Sequence, residues 1–213
     1  LKNFIKEHYE DIWLLIFALI CSILFFFLIK DLDFFEALLV ILSSISNSGI
    51  TISIISKEFS VLLLFLTILG GSIVSNTSGI KFLRMYILLK VTFIEILRLV
   101  KPNSVFNHNI LFSTKKFLSD EISLSFLVFI SFFISIFTLS GVLILDNLDF
   151  ENTFKLSILT ITNTVDSNLY SLSDTDFANL LTNSKIFIII FMIIGKIELI
   201  SIFLIIKKIF FKN

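Results

Sequence analysis

Residues 12–29 carry no charge and are almost wholly apolar, and a run of that length limits what the chain can fold into more than any other feature. A helix crossing the hydrocarbon core of a bilayer needs about 20 apolar residues, with roughly 17 to 25 tolerated. Residues 122–145 form a second such run, and residues 186–206 a third that is interrupted only by Lys196 and Glu198. Residues 59–74 are apolar but short; after a polar break, residues 80–100 continue the pattern with basic side chains among them. With 27 Phe, one Pro and a mean hydropathy of +1.02, a soluble domain of 213 residues could not bury so much apolar surface. The expected solvent, and first partner, is membrane lipid. Residues 1–11 are polar and mixed in charge, so no cleavable signal peptide is needed to explain the first span. A chain that opens on Leu1 rather than Met reads as a piece of a longer one. The single Cys21 lies inside an apolar run and has no intrachain partner.

Two further apolar segments, 34–45 and 149–161, are too short to cross and are rich in Ser and Thr. Such lengths suit re-entrant helices, and irregular backbone at membrane depth survives only where it lines water or is buried in protein. The order is span, re-entrant helix, span, and then the same again, which is an internal repeat. Leu32-Asp33-Phe34 recurs as Leu148-Asp149-Phe150, and at the same spacing Ile45-Ser46-Asn47-Ser48-Gly49 faces Ile161-Thr162-Asn163-Thr164-Val165. Ser44, Ser46 and Ser48 fall on Thr160, Thr162 and Thr164, so the hydroxyl pattern persists while the residue changes. The matched acidic starts and both Asn residues make duplication a better account than chance.

The expected fold is an all-α integral membrane protein of two tandem span, pore-helix, span units, as in a potassium-channel-like pore. The first unit covers 12–100: span 12–29, pore helix 34–45, filter 46–50, and a second span 59–100 broken at 75–79. The second covers 122–213: span 122–145, pore helix 149–161, filter 162–166, span 186–206 and a basic tail. Residues 1–11 and the linker 101–121 are expected in the cytoplasm by the positive-inside rule. The stretch between the two units holds Lys81, Arg84, Lys90, Arg98, Lys101, Lys115 and Lys116 against only Glu95, Asp120 and Glu121, and the tail adds Lys207, Lys208 and Lys212. Acidic residues instead flank the re-entrant helices: Asp31, Asp33, Glu36 and Glu58, then Asp146, Asp149, Glu151, Asp166, Asp174 and Asp176. On the outside they would concentrate cations at a pore mouth. The expected topology is multi-pass, with both ends in the cytoplasm.

A cation leaving water needs oxygens in place of its hydration shell, which consecutive backbone carbonyls after a short helix can supply. Ser46-Asn47-Ser48-Gly49-Ile50 suits that role, since Gly49 can take a positive φ that other residues adopt at a cost. The candidate ion-path residues are therefore Asn47, Ser48 and Gly49, with Asn163, Thr164 and Val165 in the second unit. The break at Ser75, Asn76, Thr77, Ser78 and Gly79 would expose backbone polar groups that hydrocarbon does not tolerate, so it should line an aqueous cavity. Gly70 and Gly71 could also serve close helix packing. Lys196 sits within a span, where an ionised side chain costs about 2.5 to 3.5 kcal/mol by insertion scales.

Several of these segments resemble the Trk/Ktr/HKT family of cation transporters. Residues 44–50 resemble the filter of that family's third unit. The run Gly70-Gly71-Ser72-Ile73-Val74-Ser75-Asn76-Thr77-Ser78-Gly79-Ile80-Lys81, with Arg84 beyond, resembles its gating loop and is the most specific signal in the chain. Asn163, then Lys185 and Met192-Ile193-Ile194-Gly195-Lys196-Ile197-Glu198, resemble the fourth unit, where the family has Arg in place of Lys196. The resemblance implies the C-terminal half of a Trk-type potassium uptake subunit in a bacterial plasma (inner) membrane. It implies K+ as the transported ion, bound only at the filter, with no cofactor and no catalytic residue. It further implies residues 75–79 as the gate, Lys196 as a gate-associated charge, a homodimer, and a cytoplasmic nucleotide-binding regulatory subunit. Two units need an N-terminal half or another copy of the chain to complete a pore. Val165 replaces the family's filter glycine and Asp166 its proline, which leaves sodium permeation and a non-conducting remnant open as readings. A polytopic membrane enzyme would need a convergent catalytic cluster, whereas His8 and His108 are isolated. The zero net charge argues against a nucleic-acid partner.

Overall fold

A computed structural model of the chain describes residues 8–29, 32–50, 57–101, 118–146, 148–164, 170, 172 and 180–196. Among them it contains seven α-helices and no strand. They are α1 (Tyr9–Leu28), α2 (Phe34–Ser46), α3 (Ser60–Leu69), α4 (Phe82–Val100), α5 (Ser119–Leu143), α6 (Phe150–Thr162) and α7 (Thr182–Lys196). Short 3-10 turns at Lys57–Phe59 and Ile144–Asp146 lead into α3 and out of α5.

Helix α1 is long and apolar enough to cross a membrane, yet only 17% of its most apolar window is buried. Its buried positions, Ala18, Ser22 and Phe25, form one stripe at helical spacing, while Leu15, Ile20, Leu24 and Phe27 face outward. A core helix of a soluble protein would hide those residues. Helix α5 with its 3-10 extension, Ser119–Asp146, is the second helix of spanning length and composition. Hydroxyls in hydrocarbon must find partners locally. Those of Ser125, Ser131, Ser135 and Ser140 donate to carbonyls one turn back, at Glu121, Val128, Ser131 and Phe137.

The short helices lie among the long ones. Helix α2 packs against α1 and α3, and α6 against α5, α7 and α3. One shared core, including Ile41, Leu66, Ile80, Ile136 and Leu159, joins the two repeats. Helix α6 is the more enclosed of the pair, with Thr153 and every residue from Lys155 to Thr162 buried. Lys155 is among them, and its ammonium pairs with the Glu151 carboxylate one turn earlier at 2.5 Å.

Two boundaries differ from the sequence expectation. The break in the second span is wider than 75–79: α3 stops at Leu69 and α4 starts at Phe82. Gly70 at φ 64 and Lys81 at φ 75 both leave the helical region, so they set the ends of the break. Ser46 and Thr162, expected within the filters, are the last residues of α2 and α6, because the turn that ends each helix begins at the next residue. The expected filter residues Val165 and Asp166, residues 102–117 of the expected linker, residues 1–7, and the end of the expected last span with Ile197, Glu198 and the basic tail lie outside the described residues.

Candidate functional site

Helices α2 and α6 have the same length, 13 residues, and end in the same way. Asn47 takes φ 54, ψ 33 and Asn163 φ 58, ψ 33, both left-handed. The next N–H then folds back: Ser48 donates to the Ser43 carbonyl at 3.1 Å and Thr164 to that of Leu159 at 2.9 Å. The Asn N–H groups donate to Ser44 and Thr160 at 3.3 and 3.2 Å. This is a Schellman turn, which wants Gly at the left-handed position and accepts Asn next. The alternating hydroxyls bridge across the turn, Ser46 to Ser48 at 3.2 Å and Thr162 to Thr164 at 2.7 Å. The repeat legible in the sequence is therefore a repeat of backbone geometry.

Beyond the first turn the chain runs without regular structure through Ser48, Gly49 and Ile50. Gly49 has φ 67, where a side chain would be strained. The Ile50 N–H donates to the Ser43 hydroxyl at 2.7 Å, which ties the segment back to its own helix. Leu159 stands where Ser43 does, so α6 offers no hydroxyl at that place. Thr164 is buried and directly precedes Val165.

Residues 70–81 close on themselves. Ile80 N–H donates to the Ile68 carbonyl and Phe82 N–H to that of Gly71, both at 3.0 Å. A Cβ on Gly70 would stand 2.5 Å from the Ser78 carbonyl oxygen, and one on Gly79 would stand 2.8 Å from that of Ile68. Only glycines let the two sides of the loop meet this closely. Inside it, the Ser75 hydroxyl donates to the Ser72 carbonyl at 2.6 Å and lies 2.7 Å from that of Thr77, which accepts the Gly71 N–H at 2.9 Å.

The loop is also held from four sides. Asn47 Nδ2 donates to the Ser78 carbonyl at 3.0 Å, and Asn163 Nδ2 to the Ser78 hydroxyl at 3.2 Å. Lys196 Nζ reaches the Asn76 carbonyl at 3.5 Å. From α1, Glu10 Oε1 accepts the Ile73 N–H at 2.8 Å. The structure thus brings Asn47, Asn163, the 75–79 segment and Lys196 together, with Ser48, Gly49 and Thr164 adjacent in the chain to the two Asn turns.

Three participants were not singled out from the sequence. Glu10 looked like part of a solvated leader. Gly195 was only a motif letter, yet it lets α7 lie against the backbone of Ile161 at the end of α6, so close that a Cβ would overlap that carbonyl. Lys81 was read only as the end of the loop motif and as one of the cytoplasmic charges, but it is 1% exposed and its ammonium turns into the loop. Arg84 is likewise buried. The signal that could have found Lys81 was its place as the last residue of the small polar run 70–81.

The described residues thus form an all-α bundle in which two short capped helices converge on a broken span. A solved structure with this fold is that of the potassium transporter TrkH from Vibrio parahaemolyticus, which matches at a TM-score of 0.79 with 20% sequence identity. The match covers 94% of this chain and 44% of that one, so the chain spans under half the length of the transporter it resembles. No family model matches the sequence, and no curated protein matches it.

Proposed function

We propose that the chain is the C-terminal half, the third and fourth pore units, of a Trk-type potassium uptake membrane subunit. The observation that carries this reading is the pair of identical Asn turns, both hydrogen-bonded to one serine of the intramembrane loop. Consecutive carbonyls from Asn47 to Gly49 and from Asn163 to Val165 would line the ion path, with K+ as cargo and no cofactor. The ten residues of α3 rise about 15 Å, half of a hydrocarbon core about 30 Å thick. The loop would then begin near mid-depth, where the carbonyls of 75–79 block the path until it moves. Lys196, reaching one of those carbonyls, would bias the gate.

A complete pore needs about four filter strands around one axis, so the N-terminal half of the transporter or another copy of the chain must supply the remainder. A homodimer of complete subunits in a bacterial inner membrane goes with this reading, both ends of the chain lying in the cytoplasm. A nucleotide-binding regulatory subunit would meet the inner face near Lys90, Arg98 and Lys101. The reaction is passage of an ion, for which no catalytic residue is required.

The test is potassium-limited growth of an uptake-deficient bacterial strain expressing this chain with an N-terminal half. Growth is expected with both halves, and Gly49→Ser, which strains the first filter segment, should erode the preference for K+ over Na+. Absence of growth in every combination, with membrane insertion verified, would sink the pore reading in favour of a non-conducting remnant.

A further inference from the structure

Lys81 carries three separate costs. Its backbone sits at φ 75, ψ 134, outside the regions that residues with side chains prefer. It is the residue just before α4, where the helix dipole disfavours a positive charge. Its side chain is withdrawn from solvent, with the whole residue 1% exposed. Features that cost this much persist only when surrounding contacts over-determine them.

Those contacts form a cation site. Lys81 Nζ donates to the Ser75 carbonyl at 2.6 Å and the Thr77 carbonyl at 2.5 Å, and lies 3.5 Å from the Thr77 hydroxyl. Two backbone carbonyls and a hydroxyl are the kind of oxygen set that replaces water around a monovalent cation. The Thr77 hydroxyl is itself tied to Gly71 and Ser75, so the ammonium is fastened to both sides of the loop. The Lys81 charge also acts on the carboxylate of Glu10, the residue that holds Ile73 in the first half of the loop.

We propose that Lys81 is the lock of this loop: a tethered monovalent cation that fills a carbonyl cage made by Ser75 and Thr77 and holds residues 70–81 closed. The proposal rests on the reading of the loop as a gate and adds the group that keeps it shut. Lys196 and the two Asn residues hold the loop from neighbouring helices, whereas Lys81 closes it from within. Withdrawing the ammonium takes the donor from two half-buried carbonyls, and the loop loosens as water takes its place.

The test reads the loop directly, in the full chain reconstituted in lipid vesicles. On a Cys21→Ala background, Ser72→Cys places a thiol at a loop position that is 8% exposed. Adding Lys81→Met, which keeps much of the side-chain length and removes the charge, should raise its labelling by a membrane-impermeant thiosulfonate at least about tenfold, since two acceptors lose their donor. A parallel Ser140→Cys reporter, buried in α5 away from the loop, should label at an unchanged rate. An unchanged rate at Ser72→Cys would overturn the proposal. An equal rise at both positions would overturn it too, because Lys81 would then stabilise the whole bundle rather than the loop. Labelling needs no ion flux, so a rise at Ser72→Cys alone supports the lock even in a chain that fails the growth test.

Discussion

Helix propensity and packing make opposite forecasts for Gly195→Ala, and a matched glycine in α5 separates them. In a helix interior Ala is favoured over Gly by about 0.8–1.0 kcal/mol. Gly141→Ala should show that gain, because its Cβ would meet nothing within 4 Å. At Gly195 the new methyl would instead overlap the Ile161 carbonyl, a backbone group that no rotamer change can move aside. Helix α7 must shift away from α6, at an overpacking cost of about 1–3 kcal/mol. The shift also strains the bond from Asn163 Nδ2 to the Met192 carbonyl, now 3.0 Å, which contributes about 0.5–1.5 kcal/mol. After subtracting the propensity gain, the net loss is about 0.5–3.5 kcal/mol. Thermal unfolding of the two purified variants in the same detergent measures the difference. Equal or greater stability of Gly195→Ala relative to Gly141→Ala would refute the close approach of α7 to α6, and with it the route by which α7 positions Asn163.

Asn47 and Asn163 grip the same serine through different atoms; the effects of Asn47→Ala and Asn163→Ala on stability should therefore be non-additive, with a coupling of about 0.5–1.5 kcal/mol in a double-mutant cycle. Additive effects would mean that the two turns do not share the loop. Lys196 is exposed and reaches the Asn76 carbonyl, so Lys196→Gln should leave unfolding temperature nearly unchanged while raising resting Rb+ flux through the proposed pore several-fold. Unaltered flux would remove Lys196 from the gate.

What could be read in the sequence and what could not divide along the range of the interactions. The repeat that holds the Asn turns was legible because its residues are adjacent, but the turns themselves were taken for the starts of filter strands; Asn tolerates the left-handed conformation, and hydroxyls on either side bridge over it. The same locality exposed the glycines of the broken span. Its width was harder to read, since Gly70 needs glycine only because Ser78 returns to lie against it. Glu10 bonds to a residue 63 positions away, and nothing in the polar leader distinguishes it from neighbouring solvated acids. Lys81 shows the limit most clearly. A basic residue beside a polar break is ordinarily a topology marker, and composition alone assigns it to the cytoplasm. Only the turn of the backbone at φ 75 sends its ammonium back toward the carbonyls of Ser75 and Thr77 instead of outward to water. A buried lysine and a solvated one can thus share a sequence context; the backbone dihedral that separates them depends on the closed loop, and the loop in turn depends on the lysine. That mutual dependence is what a lock requires, and it is why exchange of one side chain should be felt across all of residues 70–81.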